Sequence, residues 1–336
     1  MEYHPGSMEY HPGSITAGDM RIPVINMTTW KVPEESLKIG LNTSLELGYR
    51  CIKTLYSECK AVGAILKEIF ENGNIKREDL FISAVLPAIG IRYEDVEYFI
   101  KKSLDDLQLD YVDLYEVSSP AGFVRKGDTF VPLDDDGEVL LDLKTDIVKT
   151  WKGMEEQVVA GRARSIGMFC FNQEQIQRIL NNCTIKPVSL GIEVHVYHQE
   201  KELVSFCKKN GIAITAFAPL GCPGLQGVLG AFDGKKKIVQ SPLKDPVIKE
   251  IAKKHNKQPF QVMLRFLIDY GVSIAIKSVT PKRLKECFDI FDFKLSQEEF
   301  NQLCELDRGE DGRRYAGSCG TGVMNFLERH PEFPFK

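Results

Sequence analysis

Short apolar runs alternate along the chain with longer stretches in which apolar residues recur every three or four positions. The runs YRCIKT, LFISAVL, YVDLYEV, RSIGMF, VSLGIEV, IAITAF and VSIAI, with a short first one near Met27–Thr29, make eight. They are too uniformly apolar to alternate in polarity, which predicts parallel strands covered on both faces. The stretches between them have helix starts, among them SLKIGLNTSLELG and PKRLKECF, the latter with Thr280 as N-cap and Pro281 at the first helical position. Eight strand–helix repeats predict an α/β protein, a closed (β/α)8 TIM barrel rather than an open doubly wound sheet. The glycine-rich phosphate fingerprints that would favour the open sheet, GxGxxG and GxxxxGK[ST], do not occur. In a long loop from Ser118 to about Thr145, the Asp136-Gly137 turn of TFVPLDDDGEVLL predicts a hairpin lid. The glycine-rich run from Arg308 onward predicts a second loop over the same barrel end.

Residues 1–7 and 8–14 both read MEYHPGS and are expected to be a tail outside the fold, leaving residues 15–336 as a single domain. A net charge of -4 argues against nucleic acid as a partner, and the short run Lys235–Lys237 beside Gly234 reads as a solvated loop. No apolar run approaches the ~18 residues of a membrane span, and no signal-peptide core is present near the start. The nine cysteines form no CxxC pair and no metal-ligand spacing. A cytoplasmic protein without disulfides or a membrane partner is the expectation.

In a parallel barrel the site lies at the C-terminal ends of the strands. Those ends carry Lys53 and Tyr56, Val85, Ser118 and Ser119, Phe169 and Cys170, Gly191–His195, Phe217, Lys277 and Ser278. They contain no nucleophile elbow and no paired carboxylates for glycoside hydrolysis. Only Glu193 and His195 lie close enough to suggest a metal; they are expected to be structural, with no metal bound. Cys51, Cys170, Cys222, Cys287 and Cys319 are expected to be buried hydrophobes rather than a redox cluster.

GYRCIKTLYSECKAVGAILKE, KREDLFIS, SLDDLQLDYVDLY, PLGCP, IKSVTPKR and HPEFPF together resemble the aldo-keto reductases, in particular their animal aldose and aldehyde reductase branch. The likeness runs in unbroken order from about Met20 to Phe335. It implies a barrel that binds NADP(H) and reduces aldehydes or ketones with an aspartate, a tyrosine, a lysine and a histidine. On this chain the aspartate position holds Lys53, the lysine position Val85 and the histidine position Ser118, with Ser119 where tryptophan is expected. Only the tyrosine, Tyr56, is left. The side chains that would hold the nicotinamide amide become Phe169, Cys170 and Gly191, and the stacking tyrosine becomes Phe217. The other end of the cofactor site matches at Lys277, Ser278, Val279, Thr280, Arg283 and Glu286, with Cys287 replacing an asparagine; Thr29, Trp30, Pro219 and Leu220 also match pocket positions.

Lys53 is expected to point into the barrel lumen toward Glu116, because a buried ammonium needs a counter-charge. Two other roles stay open: a desolvated lysine of lowered pKa acting as nucleophile or base, or a substitute for the missing lysine beside Tyr56. The residues therefore support two functions. One is a pseudoenzyme, impaired as a carbonyl reductase but able to bind NADP(H) or another small ligand. The other is an active NADPH-dependent reductase, or a repurposed barrel enzyme, that uses Tyr56 and Lys53.

Overall fold

The computed structural model describes residues 13–222, 241–314 and 326–335. Eight parallel strands close into the expected barrel: β3 (Ile25–Thr28), β4 (Cys51–Leu55), β5 (Phe81–Leu86), β6 (Leu114–Val117), β7 (Ile166–Phe169), β8 (Ser189–Glu193), β9 (Ala213–Phe217) and β10 (Ser273–Ile276), with β10 pairing back onto β3. Around it lie α1 (Glu34–Glu46), α2 (Cys59–Glu71), α3 (Tyr93–Leu107), α4 (Ile147–Val159), α5 (Gln173–Leu180), α6 (Lys201–Lys209), α7 (Pro246–Lys254), α8 (Pro259–Asp269), α9 (Pro281–Phe288) and α10 (Gln297–Cys304). The helices bury one stripe each against the strands or against one another. On α3 that stripe is Val96, Phe99, Ile100, Ser103, Leu104 and Leu107, the spacing of a helix with one buried face. No helix among the described residues is long and apolar enough to cross a membrane.

A feature the apolar pattern did not predict closes one end of the barrel. β1 (Ser14–Ala17) and β2 (Met20–Pro23) form an antiparallel hairpin, so the fold begins within the expected tail: Ser14 already pairs with Pro23. Ala17 and Ile22 of the hairpin pack with Cys51, Phe81, Leu114 and Ala213. These four are the first residues of β4, β5, β6 and β9, so the hairpin plugs the N-terminal end of the lumen. The opposite end is left for binding or chemistry.

The loop after β6 forms the expected hairpin as two isolated bridges, Phe123 with Leu141 and Leu133 with Val139, and not as a continuous ladder. Its turn is held by Asp134 Oδ1, which accepts the N–H groups of Asp136 and Glu138. Arg92 fixes its base by donating from Nε and Nη2 to the two carboxylate oxygens of Asp142, at 2.6 and 2.7 Å. The C-terminal segment joins it: His330 Nε2 lies 2.8 Å from the Asp142 carbonyl oxygen.

Helix α9 starts at Pro281 as expected, but Thr280 caps it in position only. Its hydroxyl makes no capping bond, and its N–H donates to Ser278 Oγ at 3.3 Å. Helices α2 and α3 meet closely at Gly63, where a Cβ would overlap the Asp106 carbonyl oxygen and come within 2.7 Å of Leu107 Cα. Backbone atoms cannot swing aside as a side-chain tip can. Gly63→Ala is therefore expected to destabilise the fold by about 2–3 kcal/mol, read as a lowered urea midpoint with an unchanged slope.

Candidate functional site

The centre of the lumen is a closed charge cluster. Lys53 of β4 and Glu116 of β6 are 4% and 0% exposed, and their Nζ and Oε2 atoms lie 2.8 Å apart. The contact is a charge contact rather than a well-aligned hydrogen bond, because its angle falls outside hydrogen-bonding range. Glu116 is held from two further sides: Ser83 Oγ of β5 donates to Oε2 at 2.6 Å and Ser189 Oγ of β8 to Oε1 at 2.7 Å. β8 is not a neighbour of β6; β7 lies between them, and its residue in register with both Glu116 and Ser189 is Gly167. A Cβ there would overlap Ser189 Oγ and lie 3.2 Å from Glu116 Cγ, so the glycine is what lets serine and glutamate meet.

Above this cluster the mouth is aromatic. Phe169, the last residue of β7, stacks on Phe217 of β9 with ring centroids 6.1 Å apart and planes 19° apart. The Lys53 ammonium sits 4.4 Å from the Phe169 centroid, a cation–π contact that supplements its pairing with Glu116. Cys170 follows in the left-handed region at φ 55, a conformation that asparagine tolerates better than cysteine. Burial pushes its thiol up to about 12, so it carries no thiolate at neutral pH. Val85 is buried. Among the described residues the Ser118 hydroxyl has no hydrogen-bond partner, and Ser119 Oγ accepts the Ala121 N–H.

Tyr56 shares no hydrogen bond with Lys53 among the described residues. Its ring packs edge-on against Phe99 of α3, with centroids 5.0 Å apart. Its buried hydroxyl forms no well-made hydrogen bond among the described residues, and burial, then Asp128 and Tyr98, push the phenol well above its ordinary value. Such a phenol is a poorer proton donor at neutral pH than a free tyrosine. Glu193 and His195 are engaged with each other: Nε2 of His195 lies 3.0 Å from Glu193 Oε1, which also accepts the Arg314 N–H. Among the described residues His198, Glu200 and Glu310 form the group with ligand-like atoms close together, and it adjoins the singled-out strand ends through the bridge between His198 and His195. Arg313 already donates to both carboxylates, at 2.6 and 2.7 Å. Of the other cysteines, Cys51 lies at the plugged end of the lumen and Cys287 is buried on α9, so neither clusters with Cys170; Cys319 and Lys235–Lys237 lie outside the described residues.

A second group of side chains gathers on one side of the mouth. Lys277, directly after β10, and Lys31, after β3, place their ammonium groups 4.9 and 5.1 Å from the Trp30 ring. Burial and then the repulsion of Lys31 lower the Lys277 pKa, partly offset by Cys222 and Glu58. Arg283, one turn into α9, is exposed and makes no ion pair among the described residues, while Glu286 lies 3.9 Å from Lys282. Val279 packs on α1, where only a glycine, Gly40, leaves room for it. Thr29 is buried, its N–H donating to the Lys53 carbonyl at 3.0 Å. Pro219 is buried, and Leu220 is half-buried in the turn closed by Gly221 N–H to the Ala218 carbonyl.

A profile of the Aldo/keto reductase family matches residues 15–308. The chain belongs to the aldo/keto reductase family. It is 37% identical over 323 residues to "Aldo-keto reductase family 1 member A1" of Gallus gallus and 35% identical over 321 residues to "Prostaglandin F synthase 2" of Bos taurus, with 94% of both chains covered in each case. Among solved structures it is similar to the aldose reductase from Schistosoma japonicum, with a TM-score of 0.84 and 34% identity over 96% of this chain and 98% of that one.

Aldo/keto reductases typically bind NADP(H), and the positions that the resemblance assigns to the two ends of that cofactor differ in chemistry on this chain. Lys277 and Arg283 offer cations beside a helix start, suited to a phosphate. Phe169 and Gly191 offer no side-chain donor to an amide. Sequence reasoning anticipated Lys53 facing Glu116 but missed Ser83, Ser189 and Gly167; the signal available was a polar residue at an inward position of FISAVL and of SLGIE. It also missed Lys31, adjacent to the anticipated Trp30.

Glu116→Leu strands the buried Lys53 ammonium and is expected to cost about 3–5 kcal/mol of stability. The double variant Lys53→Met/Glu116→Leu is expected to recover most of that loss, since no charge is left uncompensated. Urea denaturation of both singles and the double closes the cycle; a loss in the double equal to the sum of the two single losses would show that the pair contributes no coupling.

Proposed function

We propose that this aldo/keto reductase barrel is impaired as a carbonyl reductase and works as a binding protein for an NADP-type nucleotide. The observation that carries this reading is the Lys53–Glu116 pair. A lysine already neutralised by a carboxylate, itself fixed by two serines, has neither the free charge to lower a tyrosine's pKa nor the lone pair to act as a nucleophile. The other positions agree. Carbonyl reduction needs a proton delivered to the developing alkoxide; Tyr56 is turned toward Phe99 with a raised pKa, Val85 cannot titrate, and Ser118 has no base beside it. NADPH, when bound, supplies a hydride from its nicotinamide. What remains for this chain's residues is attraction of the phosphate groups by Lys277 and Arg283, and packing beside Trp30.

The second reading, an active NADPH-dependent reductase, is favoured by the relatives, whose names include a prostaglandin F synthase and a dihydrodiol dehydrogenase along 94% of this chain. The two readings separate on one assay. With a reactive aldehyde and saturating NADPH, the binding reading expects turnover at least about 10³-fold below the ~10 s⁻¹ typical of enzymes, and no change on Tyr56→Phe. Turnover near that typical rate, abolished by Tyr56→Phe, would establish the reductase instead. In a separate titration, Arg283→Ala is expected to weaken NADP+ binding roughly tenfold, the loss of one charge-assisted contact.

A further inference from the structure

Which half of a dinucleotide this mouth has room for can be read from β7 and β8. Phe169 is in register with Gly191 on the adjacent strand. A Cβ on residue 191 would lie 2.5 Å from Cε1 of the Phe169 ring and 2.7 Å from its Cδ1 and Cζ. The ring therefore occupies the volume that any side chain at 191 would take. It is held there from two directions, by Phe217 at 6.1 Å and by the Lys53 ammonium at 4.4 Å. A planar ring needs about 3.5 Å on each face, hence about 7 Å between two rings that sandwich it. Phe169 and Phe217, at 6.1 Å, leave no such slot. The Cys170 N–H adds no polar grip, because it is already donated to the Gly191 carbonyl at 2.9 Å. The cations Lys31, Lys277 and Arg283 stand apart from this stack and share no contact with it among the described residues.

We infer that the barrel binds the adenosine half of a 2′-phosphorylated dinucleotide alone, with Phe169 as the resident occupant of the space a second ring would need. The inference rests on the nucleotide reading given above and narrows its ligand to adenosine 5′-phosphates bearing a 2′-phosphate. The rest of a dinucleotide adds length but no affinity.

Calorimetric titration of the intact protein with NADP+ and with 2′,5′-ADP tests it. The dissociation constants are expected to agree within about threefold, and saturation-transfer NMR of bound NADP+ to reach the adenine protons but not the nicotinamide protons. Phe169→Ala is expected to tighten NADP+ roughly tenfold while 2′,5′-ADP changes less than about twofold. Wild-type NADP+ binding about tenfold or more tighter than 2′,5′-ADP, or strong saturation of its nicotinamide protons, overturns the inference and leaves the nucleotide reading standing. Failure of both ligands to bind overturns the two together. The wild-type comparison decides the matter even if Phe169→Ala does not fold.

Discussion

An ammonium group placed inside a barrel must be neutralised where it stands, and most of what distinguishes this mouth follows from that requirement. At an effective dielectric of about 20, charges as close as Lys53 and Glu116 attract by roughly 6 kcal/mol, while desolvation costs several kcal/mol for each ion. The net stabilisation is small, but the constraint is strong. Glu116 must face inward at one height, Ser83 and Ser189 must satisfy its remaining lone pairs, and residue 167 must lack a side chain for the second serine to arrive. The lysine's exposed flank then needs a cover. The Phe169 ring supplies it, and can lie where it does because residue 191 is also a glycine.

The two ends of the barrel divide labour accordingly. The N-terminal hairpin inserts Ala17 and Ile22 among the first residues of four strands, an apolar plug that keeps water from that side of the charge cluster. At the other end the stacked phenylalanines do similar work. Between these covers, water cannot rescue an unpaired Lys53 or Glu116, so the pair is all-or-none in a way that a surface ion pair would not be. The uncommitted cationic side chains lie outside this sealed column, around Trp30 and the start of α9, where solvent and a phosphate can both reach them.

How much of this was legible in the sequence depended on whether a feature was local. Strand and helix order was legible because buried parallel strands write themselves as apolar runs, and each run was found within a few residues. The pairing of Lys53 with Glu116 followed from strand alternation and the cost of burying a charge. The plug was not legible: SITA and MRIP are short and mixed in polarity, and become strands only by pairing with each other. Nor could alternation give the direction of a ring. Tyr56 is the first residue past β4, in a 3-10 turn where the strand period no longer applies, and it turned toward Phe99. The position of Phe169 depends on a glycine 22 residues later in the chain and on register between β7 and β8, a non-local fact.

The same interdependence bears on whether the residue pattern that the resemblance expects is one substitution away. Replacing Lys53 by the aspartate that the resemblance expects would set two carboxylates into the sealed lumen, and like charges that close cannot both ionise. Replacing Glu116 alone would leave the ammonium without its partner. Placing the expected glutamine at residue 191 would drive a side chain into the Phe169 ring unless that ring moved as well, and moving it uncovers Lys53. Each departure from the family pattern is thus held in place by another. The substitutions at Lys53, Phe169 and Gly191 are better understood as one alternative packing of the lumen, stable in itself, than as independent losses that could be reversed one at a time.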